Sequence, residues 1–207
     1  MNDNVYIHPE AMVESKQIGG GTRIWAFSHV MKDVSIGDNC NVGEHCFLET
    51  GASVGSNVTI KNGNMIWDGV TLEDGTFVGP GVFFTNDLYP RSPRLPAARA
   101  RYQGKDWLVR TLVQHGASIG AGAVLVAGVT VGSFAMVGAG TVVTKDVPPH
   151  ALVVGTPARM IGWVCECGRR LNFEQDQAMC SGCGTRYFRT GDSAVSKMTK
   201  MQSVPTS

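Results

Sequence analysis

The chain has 207 residues, of which 43% are hydrophobic and 17% are charged, and its formal net charge is +1. A charge balance this close to neutral argues against general binding to nucleic acid or to an anionic membrane surface. No apolar stretch is long enough to span a membrane, and the polar amino terminus lacks a signal-peptide core, so we expect a cytoplasmic protein.

A large apolar residue returns every six positions through most of the chain. This period fits neither an amphipathic helix nor a simple alternating strand. It predicts a parallel β-helix built from hexapeptide repeats. The repeated residues are Tyr6, Met12, Ile18, Ile24, Val30, Ile36, Val42, Leu48, Val54, Ile60, Ile66, Leu72, Val78, Phe84, Val113, Ile119, Leu125, Val131, Val137 and Val143.

Three hexapeptides make one coil of a triangular prism, and the repeated residue points inward. The residue two positions earlier is usually small or β-branched, so each hexapeptide supplies two inward side chains. About seven coils, at about 4.8 Å each, would give a prism roughly 30 Å long. Cys40 and Cys46 occupy the small inward positions, so we interpret both as core residues.

The repeat is interrupted once, between Phe84 and Val113. If Ile66 and Phe84 lie on the first face of the prism, Val113 falls on the second face and Ile119 on the third. The frame is therefore kept if a long loop, residues 86–111, leaves the turn between the first and second faces. Long ordered loops are uncommon and often functional. This loop is rich in arginine. It is either a solvent-exposed loop with no binding role or a loop that binds an anionic substrate through its arginines.

Outward-pointing residues on the first face are unusually apolar, whereas those of the other two faces are mostly polar. An apolar outward face on a soluble prism predicts a subunit interface. The alternative is that the carboxy-terminal segment covers this face. The outward apolar residues are Met31, Phe47, Met65, Trp67 and Phe83.

Four cysteines follow the repeats, in the order Cys165-x-Cys167-Gly and Cys180-x-x-Cys183-Gly. Four thiolates can form a closed tetrahedral structural zinc site. The first pair has one spacer residue rather than the usual two, and the alternative is a hairpin with free thiols. We therefore divide the chain into a prism over residues 1–163, a zinc-ribbon-like segment over 164–189, and a polar, disordered tail over 190–207.

Several segments resemble a known family. The ending GAGTVVTKDVPPHALVVGTPARMIGW is similar to that of left-handed β-helix acyltransferases. The segments IWAFSHV, VTLEDGTFVGPGVFFTNDLYPR and WLVRTLVQHGASIGAGAVLVAGVTVG resemble bacterial N-acetyltransferases of nucleotide-linked 3-amino sugars. The resemblance covers about residues 5–163. It implies an all-β, left-handed β-helix that forms a homotrimer and transfers acetyl from acetyl-CoA in lipopolysaccharide, glycan or deoxysugar biosynthesis.

The resemblance also implies active sites between neighbouring subunits, with the cofactor lying along the late coils. Small residues there would leave room for the pantetheine arm. Lys145 and Arg159, near the end of the prism, would meet the phosphates of the cofactor. The small residues predicted to bind the cofactor are Gly120, Ala121, Ala127, Gly128 and Gly138.

Asn86 and Asp87 open the loop at the predicted cleft, so we predict that they act in catalysis by orienting the substrate amine. Arg91 and Arg94 are expected to hold the anionic groups of the sugar nucleotide, and Glu49 and His29 to contribute to its binding. Many hexapeptide acyltransferases use a histidine base, for which His29, His45 and His115 are the candidates. A dedicated base is not essential, because an amine that is partly neutral at cellular pH mainly needs orientation.

Other readings of the sequence stay open. The chain could be a non-catalytic hexapeptide scaffold, or a γ-type zinc carbonic anhydrase. The second requires histidines brought together across an interface, and the typical HxxxxH pair is missing. Within the acetyltransferase reading, the sequence does not separate a UDP-linked from a dTDP-linked sugar, nor acetyl from a slightly larger acyl group.

Overall fold

The chain winds into a three-faced prism in the computed structural model, which describes residues 4–191 and 194–198. Each face of the prism is a stack of parallel β-strands. The first face has seven strands, the second has six, and the third belongs to a ten-stranded sheet. The first face contains β2 (Met12–Val13), β5 (His29–Val30), β8 (Phe47–Leu48), β11 (Met65–Ile66), β14 (Phe83–Phe84), β17 (Val124–Leu125) and β20 (Val142–Val143).

The second and third faces follow the same order of coils. The second face contains β3 (Gln17–Ile18), β6 (Ser35–Ile36), β9 (Ser53–Val54), β12 (Val70–Leu72), β15 (Thr111–Val113) and β18 (Thr130–Val131). The third face contains β1 (Tyr6–Ile7), β4 (Arg23–Ile24), β7 (Asn41–Val42), β10 (Thr59–Ile60), β13 (Phe77–Val78), β16 (Ser118–Ile119), β19 (Met136–Val137) and β21 (Ala151–Val154). The predicted fold class, a left-handed parallel β-helix, is confirmed. Because β21 continues the third face beyond the last predicted repeat, this face has one coil more than the sequence suggested.

The core of the prism is the stack of repeated residues. From Ile18 to Val143 each of them is buried, and from Thr22 onward so are the residues two positions earlier. Cys40 and Cys46 are confirmed as core residues, and their thiols donate to the carbonyls of Gly55 and Lys61 in the next coil, at 3.0 and 3.2 Å. Since stacked neighbours supply these contacts, each coil is stabilised by the ones above and below it.

The first coil departs from the predicted frame. Ile7 pairs with Ile24, and Val13 pairs with Val30, so this coil is one residue shorter than the others. Tyr6 and Met12, predicted to point inward, are therefore exposed. The prediction was wrong for these two residues because strict alternation along a strand turns every side chain over when the register shifts by one.

Glycine meets two different demands in this fold. Gly51 lies in a turn with φ of +97°, a backbone conformation that residues with a side chain rarely adopt. Gly138 instead follows a repeated residue, and a Cβ there would lie 2.7 Å from Cγ1 of Val154. The second kind of glycine allows adjacent coils to stack closely.

The inserted loop leaves and re-enters the prism as predicted, between β14 on the first face and β15 on the second. It contains a short helix, α1 (Pro96–Arg99), followed by a 3-10 turn at Ala100–Tyr102. Proline at the start of α1 suits a first helical turn, which needs no N–H donor there. Among the described residues, no helix has the length and apolar character needed to cross a membrane.

The carboxy-terminal segment folds onto the end of the prism. Strand β22 (Arg159–Val164) turns back antiparallel along β21 and pairs with β23 (Arg170–Leu171), which completes the ten-stranded sheet. A separate antiparallel sheet contains β24 (Gln177–Met179), β25 (Arg186–Thr190) and β26 (Ala194–Lys197).

The predicted disordered tail is wrong where β26 forms, because the free edge of β25 offers hydrogen-bond partners to these residues and Val195 is buried against the sheet. Thr190, also in the predicted tail, belongs to β25, and residues 192, 193 and 199–207 of that tail lie outside the described residues.

Candidate active site

The inserted loop leaves the prism at the vertex between the first and second faces. Its neck is closed by a backbone hydrogen bond from the N–H of Val109 to the carbonyl of Asn86, at 2.9 Å. Just before the neck, the hydroxyl of Thr85 donates to the carbonyl of Leu125 and accepts from the N–H of Ala127, at 3.2 and 2.8 Å. The base of the loop is therefore fixed to the next coil, and Asn86 has a defined position.

A stack of polar residues lies beneath this neck, one coil apart. Nδ2 of Asn86 donates to the carbonyl of Asp68 at 3.2 Å, and Oε2 of Glu49 accepts from the N–H of Asp68 at 2.9 Å. The carboxylate of Asp68 also pairs with the ammonium of Lys105, from the far end of the loop. Asp68 thus holds the start of the loop with its carbonyl and the end of the loop with its carboxylate.

Asp87 is the centre of a second anchor, within the loop itself. Its two carboxylate oxygens accept from Nη1 and Nη2 of Arg101, at 2.9 and 2.5 Å. The hydroxyl of Tyr102 donates to the same carboxylate at 2.7 Å, and the N–H of Tyr89 donates at 2.8 Å. Bidentate arginine–carboxylate pairs combine strength with a fixed orientation, so this anchor orders the loop.

The anchor also sets the protonation of Asp87, whose side chain is only 10% exposed. Hydrogen bonding from Arg101 lowers the pKa of Asp87 from 3.8 to about 2. A carboxylate with so low a pKa is a weak proton acceptor at neutral pH, and its oxygens already have partners. This geometry favours a positioning role, whereas a direct contact of Asp87 with the substrate amine stays a prediction.

Arg91 and Arg94 lie between Asp87 and Arg101, the two residues that form the anchor of the loop. Both are exposed, and in residues 4–191 and 194–198 neither guanidinium pairs with a carboxylate. The backbone of Arg91 is fixed, because its N–H donates to the hydroxyl of Tyr102 at 2.9 Å. Two arginines therefore lie on an ordered loop with donors available for an anionic ligand.

The small residues of the late coils are packed more tightly than predicted. A Cβ on Gly120 would lie 2.4 Å from the backbone nitrogen of Ala139, and one on Gly128 would lie 2.9 Å from Cγ1 of Val109. The protein itself therefore fills the space beside these glycines. Contact between the cofactor and these glycines stays a prediction. It no longer rests on open space beside them, because the protein occupies that space.

Backbone amides near these residues are also engaged within the prism. The N–H of Gly128 donates to the hydroxyl of Thr111 at 3.2 Å, and the N–H groups of Gly120 and Gly138 donate to carbonyls of the next coil at 2.8 Å. These amides are therefore not available as donors to a bound thioester.

The predicted cofactor residues lie at two vertices of the prism. Gly120, Ala121 and Gly138 lie between the third and first faces, whereas Ala127, Gly128 and Lys145 lie between the first and second faces. Arg159 is exposed at the start of β22. Within one chain the first face separates the two groups, so a single cofactor would meet both only by crossing that face or by using a second subunit.

The histidines do not converge on the loop. His115 lies at the turn between the second and third faces, where its ring contacts the edge of Phe134 at a centroid distance of 5.1 Å. His45 adopts a positive φ in a turn and stacks on Phe27. His29 lies on the first face and bonds Oε1 of Glu14 at 2.7 Å. A histidine acting at the loop would therefore have to come from another subunit.

The first face presents a continuous outward ladder, in which each residue is in register with the next. Met65, near its centre, is 49% exposed. The carboxy-terminal strands β22 and β23 extend the third-face sheet at its end, and Met65 and Phe83 stay exposed, so the described part of this segment does not cover the first face. The ladder consists of Met12, His29, Phe47, Met65, Phe83, Val124 and Val142.

The four carboxy-terminal cysteines converge, far along the chain from the loop. Their sulfur atoms all lie within 4.8 Å of one another, and among the described residues they are the one group of three or more potential metal ligands. The described residues of a single chain therefore offer no histidine cluster of the kind that a carbonic anhydrase zinc site needs.

Sequence reasoning missed Asp68, Arg101 and Lys105 as parts of this site. The 18-residue period of the coils is a signal for Asp68, because Asp68 precedes Asn86 by one coil and therefore lies beneath it. Arg101 and Lys105 carry no such signal, since their partners are set by the path of the loop and not by the repeat.

Parts of the chain match known families and proteins. Residues 15–50 match the family Bacterial transferase hexapeptide (six repeats), and residues 115–145 match Hexapeptide repeat of succinyl-transferase. Over 197 residues the chain is 49% identical to dTDP-3-amino-3,6-dideoxy-alpha-D-galactopyranose 3-N-acetyltransferase of Aneurinibacillus thermoaerophilus, covering 95% of this chain and 97% of that protein. It is 43% identical over 63 residues to a putative acetyltransferase of Schizosaccharomyces pombe, covering 30% of each chain.

The fold also resembles a solved structure. The acetyltransferase domain of PglB from Neisseria gonorrhoeae FA1090, in complex with acetyl coenzyme A, aligns with a TM-score of 0.50 and 22% identity. The alignment covers 76% of this chain and 57% of that domain, so the chain spans little more than half of its length. At this identity the likeness supports the β-helix fold alone.

Proposed function

Because this chain belongs to the hexapeptide-repeat acyltransferases, as its 49% identity with a sugar N-acetyltransferase over 95% of its length establishes, we propose that its substrate is a dTDP-linked 3-amino-3,6-dideoxyhexose of the galacto configuration. The chain is an acetyl-CoA-dependent N-acetyltransferase of a nucleotide-linked amino sugar, and not a scaffold. The substrate proposal rests on the relative's substrate and on the ordered loop with two available arginines.

The reaction joins the sugar nitrogen to the acetyl carbonyl carbon and breaks the thioester bond to sulfur. The amine attacks as the neutral base, the tetrahedral intermediate expels the thiolate of CoA, and the nitrogen loses one proton, which the thiolate can accept. Holding amine and thioester in reacting geometry can supply up to about 7–11 kcal/mol of the barrier. The chain's main task is therefore positioning.

The loop is the positioning element for the sugar nucleotide. Asp68 and Lys105 fix its two ends, and Asp87 and Arg101 fix its interior. We propose that Asn86, at the neck, orients the amine. Arg91 and Arg94 supply planar donors that match the oxygens of a pyrophosphate.

We further propose a homotrimer in which the first faces meet around the three-fold axis. Its outward ladder, which is apolar at every position except His29, supports this arrangement, since exposed apolar surface of this kind marks interaction sites. Pairing of subunits would also bring the loop of one chain beside the late coils of the next, where the cofactor is expected. We expect the enzyme to act in the cytoplasm.

A CoA-release assay across a panel of sugar nucleotides tests the substrate. The panel contains dTDP-linked 3-amino-3,6-dideoxygalactose, its glucose epimer at C4, a UDP-linked 3-amino uronic acid, and the galacto sugar with a 3-hydroxyl. We expect turnover with the first, weaker turnover with the epimer, and none with the hydroxyl sugar. Equal or better turnover of the UDP-linked sugar would contradict the dTDP assignment.

A further inference from the structure

We propose that Cys165, Cys167, Cys180 and Cys183 bind one zinc ion, which fastens the terminal three-stranded sheet to the end of the prism. This inference is independent of the acyl-transfer reaction. It rests on the convergence of four thiols, on hydrogen bonds to their sulfur atoms, and on the elements that carry them.

The spacing of the sulfur atoms suits a tetrahedral metal site. Cys165 and Cys183 lie 3.4 Å apart, Cys167 and Cys180 also lie 3.4 Å apart, and all four sulfurs lie within 4.8 Å of one another. Zinc–sulfur bonds of about 2.3 Å place the sulfurs of a tetrahedron about 3.8 Å apart, which falls inside this range. A disulfide would need about 2.05 Å.

The two turns that carry the cysteines have matching geometry. The N–H of Cys167 points at the sulfur of Cys165 at 3.5 Å, and the N–H of Gly182 points at the sulfur of Cys180 at 3.4 Å. In each turn, the residue two positions after the first cysteine donates to that cysteine's sulfur. Such donors stabilise negative charge on sulfur, as a thiolate ligand requires. The missing spacer in the first pair does not prevent this geometry.

Residues next to the four cysteines orient their side chains as metal ligands. The hydroxyl of Tyr187, a fully buried residue, lies 3.2 Å from the sulfur of Cys165 and accepts from the N–H of Glu166 at 3.0 Å. Its ring meets the ring of His150 edge-on, and Nδ1 of His150 donates to the carbonyl of Val164 at 3.0 Å. Groups that orient the ligands are a regular part of metal sites.

The ligands come from two different parts of the structure. Cys165 and Cys167 follow directly from β22, which is paired with the last strand of the prism. Cys180 and Cys183 lie between β24 and β25, in a sheet that shares no strand with the prism. One ion bound to all four would therefore cross-link the two parts. An end coil of a solenoid needs such a cover, because its last edge is otherwise exposed.

Metal analysis of the full-length protein, purified without chelator, tests the site. We expect one zinc per chain in the unmodified protein and in Cys46→Ser, whose thiol lies in the prism. The double variant Cys167→Ser/Cys183→Ser should contain none. After denaturation with a chelator, all six cysteines of the chain should react with a thiol reagent. The proposal would be overturned if the protein contained no metal, or iron in place of zinc. It would also be overturned if only two thiols reacted, because that would indicate two disulfides.

Hydrogen exchange, measured before and after zinc is removed by a strong chelator, tests the fastening role. We expect protection to fall in residues 177–190 and 194–197, while the amides of residues 18–143 keep theirs. A pattern unchanged after zinc loss would show that the ion does not hold the terminal sheet. Loss of protection throughout the prism would contradict a role confined to its end.

Discussion

Replacing Met65 with glutamate should dissociate the proposed trimer without unfolding the chain. Met65 lies near the centre of the apolar ladder and is 49% exposed in the single chain. Because half of the side chain faces outward, the prism core does not depend on it. The substituted carboxylate would instead enter the interface in three copies around the three-fold axis.

The expected magnitude follows from this exposure. Burying a whole methionine side chain contributes about 1.5–3 kcal/mol, so the exposed half contributes about 0.7–1.5 kcal/mol to the interface in each chain. An unpaired charge in a buried position costs about 3–5 kcal/mol more. At 1.4 kcal/mol for each factor of ten, the variant should weaken association by a factor of about 4 × 10² to 4 × 10⁴ for each chain.

Native mass spectrometry and light scattering at matched concentrations measure this change, and circular dichroism checks the fold. Phe77→Glu is the control, because Phe77 is 39% exposed in the same kind of outward strand position, but on the third face. We expect trimers for the unmodified protein and for Phe77→Glu, and folded monomers for Met65→Glu. An intact Met65→Glu trimer, or dissociation of both variants alike, would refute an interface on the first face.

Further variants test the loop. Asp87→Asn should lower kcat more than it raises KM. If Asp87 acts by positioning, Arg101→Ala should have the same effect. A fully active Arg101→Ala variant beside an inactive Asp87→Asn variant would instead identify Asp87 as the group that contacts the amine. Because the pKa of Asp87 is lowered from 3.8 to about 2, its contribution to loop stability is complete above about pH 5 and is lost only as the pH falls through about 2, so a kcat profile between pH 5 and 9 should contain no step due to Asp87. Arg94→Ala should raise KM for the sugar nucleotide about tenfold with little change in kcat, whereas the neighbouring Arg99→Ala should change neither; equal effects in steady-state kinetics would remove Arg94 from the site. His115→Asn should keep at least half of the turnover, since His115 lies at a vertex away from the loop. An inactive His115→Asn variant would instead indicate that His115 acts as a general base.

The prism was predictable because one physical rule repeats along the chain. An inward apolar residue every six positions fixes the strands, the faces and the re-entry of the chain at Val113. The rule failed at Tyr6 and Met12, where the first coil is one residue shorter and no repeated pattern marks the missing residue. The resemblance gave the family and the enzyme class, and both are confirmed.

The site was less predictable because a loop obeys no period. The sequence indicated where the loop leaves the prism and that it is basic, but not which arginine would be used internally. Arg101, in the turn at Ala100–Tyr102, forms the bidentate pair with Asp87, whereas Arg91 and Arg94 pair with no carboxylate in the part of the chain that the structure describes. The sequence predicts space for a ligand beside the glycines of the late coils, but adjacent coils fill that space at Gly120 and Gly138, and Val109 of the loop fills it at Gly128.

Identification of the acetylated product tests the central claim most directly. The enzyme is given acetyl-CoA and an equimolar mixture of dTDP-linked 3-amino-3,6-dideoxygalactose and a UDP-linked 3-amino sugar. Through-bond NMR correlations then locate the new acetyl group. The proposal predicts one product, the dTDP-linked sugar with an amide at C3, formed with one CoA released per acetyl transferred. Acetylation of a hydroxyl oxygen, preferential acetylation of the UDP-linked sugar, or CoA release without an acetylated sugar would contradict it.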